Sequence, residues 1–138
     1  DAVGAVSRLL DMGVEPFLVA DALVAVLSQR LVRVLCPRCK RPSAPTQEEA
    51  DRFGIKQGTL IHRAFGCPEC LGTGYLGRTA VSEMLPVDDG IRDLVMRRAA
   101  AREVRDYALS QGMVPLRRDA LAKAATNVTA IREAEGMG

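Results

Sequence analysis

Tryptophan is absent from this 138-residue chain, and aromatic side chains are scarce, with two tyrosines, three phenylalanines and one histidine. With so few large rings, the apolar content is chiefly Ala, Val and Leu, which favours helices around a modest core. No Gly-Lys dipeptide occurs, which excludes a Gly-x4-Gly-Lys-Ser/Thr phosphate loop. A nucleophile–base–acid set would have to use His62, and nothing in the sequence ties Ser82 or Ser110 to it. No apolar run approaches the ~20 residues of a membrane-spanning helix, and no signal peptide opens the chain. The greasiest stretch, Phe17 to Leu27, is interrupted by Asp21. A net charge of only +2 gives no electrostatic footprint for nucleic acid. Together these absences predict a soluble, cytoplasmic protein that binds no nucleic acid and is not an enzyme by itself. The chain also opens at Asp1 without a methionine, inside a helical pattern, which suggests a piece of something longer with its partner on the N-terminal side.

The sequence is rich in one feature. All four cysteines lie in two Cys-Pro-x-Cys pairs, Cys36/Cys39 and Cys67/Cys70, separated by 27 residues. Three chemistries compete for them. A redox pair normally opens a long helix whose dipole acidifies the thiol, whereas both pairs here run into Pro- or Gly-rich turns. Disulfides need an oxidising compartment, to which nothing points. A closed four-cysteine zinc site accounts for both pairs at once, because each turn aims two thiolates at one point. Pro37 and Pro68 preset φ for such turns, and Gly72 and Gly74 in "CLGTG" supply flexibility after the second. Four sulfurs fill the site, so His62 is expected to be an ordinary side chain. Arg30, Arg33, Arg38, Lys40 and Arg41 surround the first pair, and zinc with four thiolates is a dianion that they would offset. A closed site of this kind holds the fold and leaves no open position for catalysis.

The fold class expected is α+β, mainly α-helical, in three parts. Residues 1–29 read as a helical pair, the second helix starting at Pro16, running toward Gln29 and apolar nearly all round. Residues 30–87 read as the zinc module with short strands. Here "RLVRVLC" delivers Cys36, "TQEE" forms a capping box at Thr46 and Glu49 before a short helix ended by Gly54, and "TLIHRAF" feeds the second pair. "GYLGRTAVSEMLPV" reads as a hairpin-like or extended piece. Residues 88–138 read as a helical bundle with faces at Ile91/Leu94/Val95, Val104/Tyr107/Ala108 and Leu116/Ala120/Leu121/Ala124, and a last short piece from Thr129.

With these motifs in order, "GAVSRLLDMGVEPFLVADALVAVLSQRLVRVLCPRCK", "GCPECLGTGYLGRTAVSEML" and "QGMVPLRRDALAKAATNVTAIREAE" closely resemble the C-terminal third of the type II secretion ATPases and their relatives in type IV pilus assembly. "DMGVEPFLVADAL" looks nearer to the secretion branch. The resemblance implies a hexameric, cytoplasmic motor with a RecA-like core that hydrolyses ATP with magnesium. Such a motor docks on an inner-membrane secretion platform and drives pseudopilus assembly for protein export. It implies that residues 1–29 are the tail of the RecA-like core, and that the phosphate loop and acidic and histidine boxes precede Asp1. It also implies that Arg78 in "GYLGRT", with Arg30 and Arg33, couples the zinc module to the nucleotide core; for Arg78 the competing role is a structural salt bridge. The closing "EGMG" departs from the family and is expected to be divergent or disordered. The alternative is a free-standing zinc-ribbon module binding protein or nucleic acid. "CPECLGTGY" fits the repeat of Hsp40-type chaperones, but "CPRCKRPS" does not, and no aromatic residue sits near Arg38 or Lys40.

Overall fold

A computed structural model describes residues 1–137. The chain orders as α1 (Ala2–Asp11), α2 (Pro16–Ala22), β1 (Ala25–Leu35), β2 (Arg41–Ser43), α3 (Gln47–Phe53), β3 (Ile61–Arg63), β4 (Tyr75–Pro86), α4 (Asp89–Met96), α5 (Ala101–Ser110), α6 (Leu116–Ala125) and a 3-10 turn (Ile131–Ala134). The α+β class is therefore as expected. Strands β1 and β4 pair, as do β2 and β3, the latter antiparallel with Arg41 opposite Arg63, Pro42 opposite His62 and Ser43 opposite Ile61. Among the described residues no helix is long and apolar enough to cross a membrane.

Two compact units arise, each from two separate stretches of chain. The first takes Asp1–Gln29 and Ser82–Leu116. Its core is aliphatic: Val3 and Val6 of α1, Val19 of α2, Leu85 of β4, Ile91, Leu94 and Val95 of α4, and Val104 and Ala108 of α5. Helix ends are satisfied locally. The Asp1 carboxylate accepts from the Gly4 N–H at 2.6 Å, and that of Asp88 from the Ile91 N–H at 2.8 Å. Arg92 Nε donates to Ala20 O at 3.2 Å, near the end of α2. Glu83 is buried, at 1% exposure. Its two oxygens accept from the backbone of Ala2 and Leu116, the first residues of α1 and α6, at 2.8 and 3.3 Å.

The second unit takes Arg30–Val81 and Arg117–Gly138, Gly138 itself lying outside the described residues. Here α6 packs Leu121 and Ala124 on Ile61 and Ile131, with Phe53 and Ile55 alongside. The helices expected after Asp88 are present, but α4 and α5 belong to the first unit and the body of α6 to the second. The capping box forms as read: Glu49 N donates to Thr46 Oγ1 at 3.2 Å and Thr46 N to Glu49 Oε2 at 2.8 Å. The Arg63 guanidinium, and after it the Thr46 N–H, hold the Glu49 carboxyl down to about 2. That ion pair ties α3 to β3, and it removes Arg63 from like-charge repulsion with Arg41 across the ladder. The expected loose terminus is not seen at Met137, which is buried at 7% exposure, and Glu135 pairs with Arg52 at 3.6 Å.

One local reading changes. The helix from Pro16 stops at Ala22, Leu23 is extended, and the chain enters β1 at Ala25. Val87 N donates to Val24 O at 2.9 Å, so pairing with the end of β4 captures this segment. A strand apolar on both faces and a helix apolar all round give the same sequence signal, and tertiary pairing decides between them. Of the two forms expected for "GYLGRTAVSEMLPV", the extended one is present: Tyr75–Pro86 is a single 12-residue strand.

Candidate metal centre

The topology brings the two cysteine pairs face to face. One Cys-Pro-x-Cys turn lies between β1 and β2, the other between β3 and β4. Because β1 pairs with β4 and β2 with β3, the two turns must meet at one end of both ladders. Cys36 N donates to Gly74 O at 2.9 Å and stitches them directly. Within the first turn, Lys40 N donates to Cys36 O at 3.0 Å; within the second, Gly72 N donates to Cys67 O at 2.9 Å.

The four sulfurs lie within 4.8 Å of one another. Cys36–Cys67, Cys39–Cys70 and Cys67–Cys70 are separated by 3.9, 3.8 and 3.8 Å. These distances are far beyond a disulfide bond of about 2.05 Å, and the thiols are free. They match a tetrahedral zinc site, since arms of about 2.3 Å give edges of about 3.8 Å. Cys36, Cys39 and Cys70 are buried and Cys67 is half-buried. Three backbone N–H groups point at sulfur: Gly66 to Cys39 at 3.3 Å, Cys67 to Cys70 at 3.3 Å and Gly74 to Cys70 at 3.1 Å. Such donors stabilise thiolates, the form that binds metal. Burial pushes the Cys70 thiol up, yet the N–H groups of Cys67 and Gly74 outweigh it and bring it down to about 6. At Cys39 burial dominates over the Gly66 N–H and pushes the thiol up to about 11. Geometry, burial and donor set thus fit one soft dication held by four sulfurs.

The second turn depends on glycine at two places. Gly74 has φ 78°, and a Cβ there would stand 2.6 Å from Ala64 Cβ and 2.9 Å from Phe65 N. Gly66 has φ 117°, and its Cβ would meet Gly72 O at 2.7 Å. Neither site has room for a side chain, so the close approach of the backbone on either side of the second turn requires both.

The cations read from sequence disperse. Arg33 forks onto Glu133, with Nε and Nη2 donating to Oε1 at 3.1 and 2.6 Å, and lies 4.0 Å over the Tyr75 ring. Lys40 Nζ donates to Asn127 O at 2.8 Å. Arg41 stacks 3.7 Å over Phe65. Arg38 is exposed. Arg78 on β4 and Arg30 on β1 are exposed, and their side chains make no ion pair or hydrogen bond among the described residues. His62 stands outside the sulfur cluster, half-buried, with Nδ1 buried and unpartnered among the described residues. It lines a cavity of about 320 Å³ with Glu49, Arg63, Tyr75, Arg132 and Glu135. Sequence reading missed Glu83, Gly66 and the Arg33–Glu133 clamp; only Glu83 left a signal, in the alternation of Val81, Glu83 and Leu85.

The family described as "Type II/IV secretion system protein" matches residues 1–136. The chain is 44% identical over 137 residues to the type IV pilus assembly ATPase PilB of Thermus thermophilus, covering 96% of this chain and 15% of that protein. It is 41% identical over 134 residues to the type II secretion system ATPase E of Vibrio cholerae, covering 96% of this chain and 26% of that protein. It is 43% identical over 141 residues to PilB of Myxococcus xanthus, covering 99% of this chain and 25% of that protein. The chain thus spans about a quarter or less of these relatives.

Proposed function

The chain belongs to the type II/IV secretion system protein family, and from that premise we propose that it is the zinc-bearing part of a secretion ATPase, giving structural and interaction support to a motor whose nucleotide site lies elsewhere. The observation that carries this reading is the four-sulfur cluster, its sulfurs all within 4.8 Å of one another and three of its edges at 3.8–3.9 Å, in a chain of this family. Cys36, Cys39, Cys67 and Cys70 would hold the ion, which supplies a rigid cross-link between the two turns. Three of the four cysteines are buried and Cys67 is half-buried, and among the described residues no further His, Cys, Asp or Glu joins the cluster, so the role is to fix shape.

In the longer protein, residues 1–29 continue a RecA-like core, ATP and magnesium bind in that core, and subunits assemble into a hexamer at a cytoplasmic face of an inner-membrane platform. Arg78 and Arg30 are the residues available for coupling to the core, because neither guanidinium is engaged within the described residues. Arg33 is committed to Glu133 and serves the module's own fold. Type II secretion is the export process proposed. Pilus assembly is the second reading, favoured by the PilB relatives at 44% and 43% identity.

The test is ATP hydrolysis by the longer protein that carries this chain. Arg78→Ala is expected to slow turnover about tenfold, the equivalent of about 1.4 kcal/mol of barrier, with zinc content unchanged. A longer protein without ATP hydrolysis contradicts the motor assignment. An active Arg78→Ala protein with undiminished turnover removes the coupling role alone.

A further inference from the structure

The segment that follows α6 is fastened to the two residues that bracket the first cysteine pair. Helix α6 closes at Asn127, with φ 62°, and Val128 N donates back to Lys123 O at 2.9 Å. Lys40, immediately after Cys39, donates from Nζ to Asn127 O at 2.8 Å across 87 residues of sequence. Leu35, immediately before Cys36, donates its N–H to Val128 O at 2.9 Å. Two residues earlier, Arg33 O accepts from the buried Thr129 hydroxyl at 2.6 Å, and the Arg33 backbone and guanidinium both donate to Glu133. Beyond these bonds Ile131, Ala134 and Met137 are buried, and Ile131 covers Ile61 and Ala124.

We infer that metal occupancy of the four-sulfur centre controls the docking of residues 127–137, which form a strap clasped by Leu35 and Lys40 on either side of the Cys36–Cys39 turn. The inference rests on the reading that these sulfurs hold zinc. With the turn cross-linked to Cys67 and Cys70, the Leu35 amide and the Lys40 ammonium are held at a fixed spacing that matches two successive carbonyls, Asn127 O and Val128 O. Without the cross-link the turn keeps its backbone bonds, among them Cys36 N–H to Gly74 O, but Cys39 and the Lys40 that follows it lose their tie to Cys67 and Cys70, and the clasp loses its spacing. Release of the strap lifts Ile131 from Ile61 and Ala124, uncovering an apolar surface that the metal-loaded protein conceals. The device reports the state of the metal centre at a surface made by other residues. Coupling of this kind is reciprocal, so loosening the strap weakens the metal by the same factor as metal loss weakens the strap.

The experiment uses the full chain loaded with zinc, hydrogen exchange of 127–137 read by mass spectrometry, and zinc affinity by competition with a chelator. Stripping zinc is expected to speed exchange in 127–137 on the order of a hundredfold while α1, α4 and α5 keep their protection. Lys40→Met, which leaves every sulfur in place, is expected to speed that exchange about tenfold and to weaken zinc by a similar factor. Thr129→Val gives a second arm through Arg33, with the same paired outcome. A looser strap with unchanged zinc affinity in both variants overturns the coupling and leaves the zinc reading intact, as does unaltered exchange after stripping. A freshly purified chain that binds no zinc overturns both readings together.

Discussion

Cys70→Ser is expected to leave the chain without stoichiometric zinc and to open the second unit to protease between about residue 36 and residue 81. Cys70 is the most heavily supported of the four sulfurs, receiving N–H groups from Cys67 and Gly74 and lying 3.8 Å from both Cys39 and Cys67. The aliphatic cluster of this unit is small, with Ile61, Ala124 and Ile131 at its centre. A structural zinc contributes on the order of 10 kcal/mol to folding, comparable with the whole stability of an ordinary domain, about 5–15 kcal/mol. Its loss therefore removes the main tie between the two cysteine turns and loosens the segment around them. Limited proteolysis with metal analysis reads both effects, and a variant with wild-type zinc content and an unchanged cleavage pattern would defeat the expectation.

The second large effect lies in the other unit. Glu83→Ala is expected to lower stability by about 3 kcal/mol, read from the urea unfolding midpoint. The carboxylate is 1% exposed and accepts from the first N–H of two helices, at Ala2 and Leu116. Helix N-termini attract negative charge and leave orphan donors, and here one side chain serves two of them. Alanine leaves both donors buried and unpaired. Glu83→Gln keeps the shape and one oxygen but turns an NH2 group toward the other donor, so it should fall between alanine and wild type. A loss below about 1 kcal/mol for the alanine variant is incompatible with this double cap.

The particular residues explain what was legible in advance. Cys36, Cys39, Cys67 and Cys70 were readable as one cluster because the chemistry is local: two identical turns, each presetting two sulfurs. The Thr46–Glu49 box and the left-handed Gly54 stop were readable for the same reason, since all their partners lie within a few residues. Val24 to Gln29 misread as helix because a strand with apolar groups on both faces imitates a buried helix until its partner strand is known. Glu83 was within reach: Val81, Glu83 and Leu85 alternate with exposed Ser82 and Met84, a period of two that places a carboxylate on the buried face. Arg33 was not. Its partner Glu133 lies 100 residues away, and no single-sequence pattern pairs the two. The same distance hid the division of the C-terminal helices between units, which depends on which core Leu121 and Ala124 meet.

Zinc-edge X-ray absorption on the purified chain, combined with elemental analysis, bears most directly on the metal centre. One zinc per chain with four sulfur neighbours at about 2.3 Å is the predicted result; absence of stoichiometric zinc, or a shell containing nitrogen or oxygen in place of any sulfur, would contradict it.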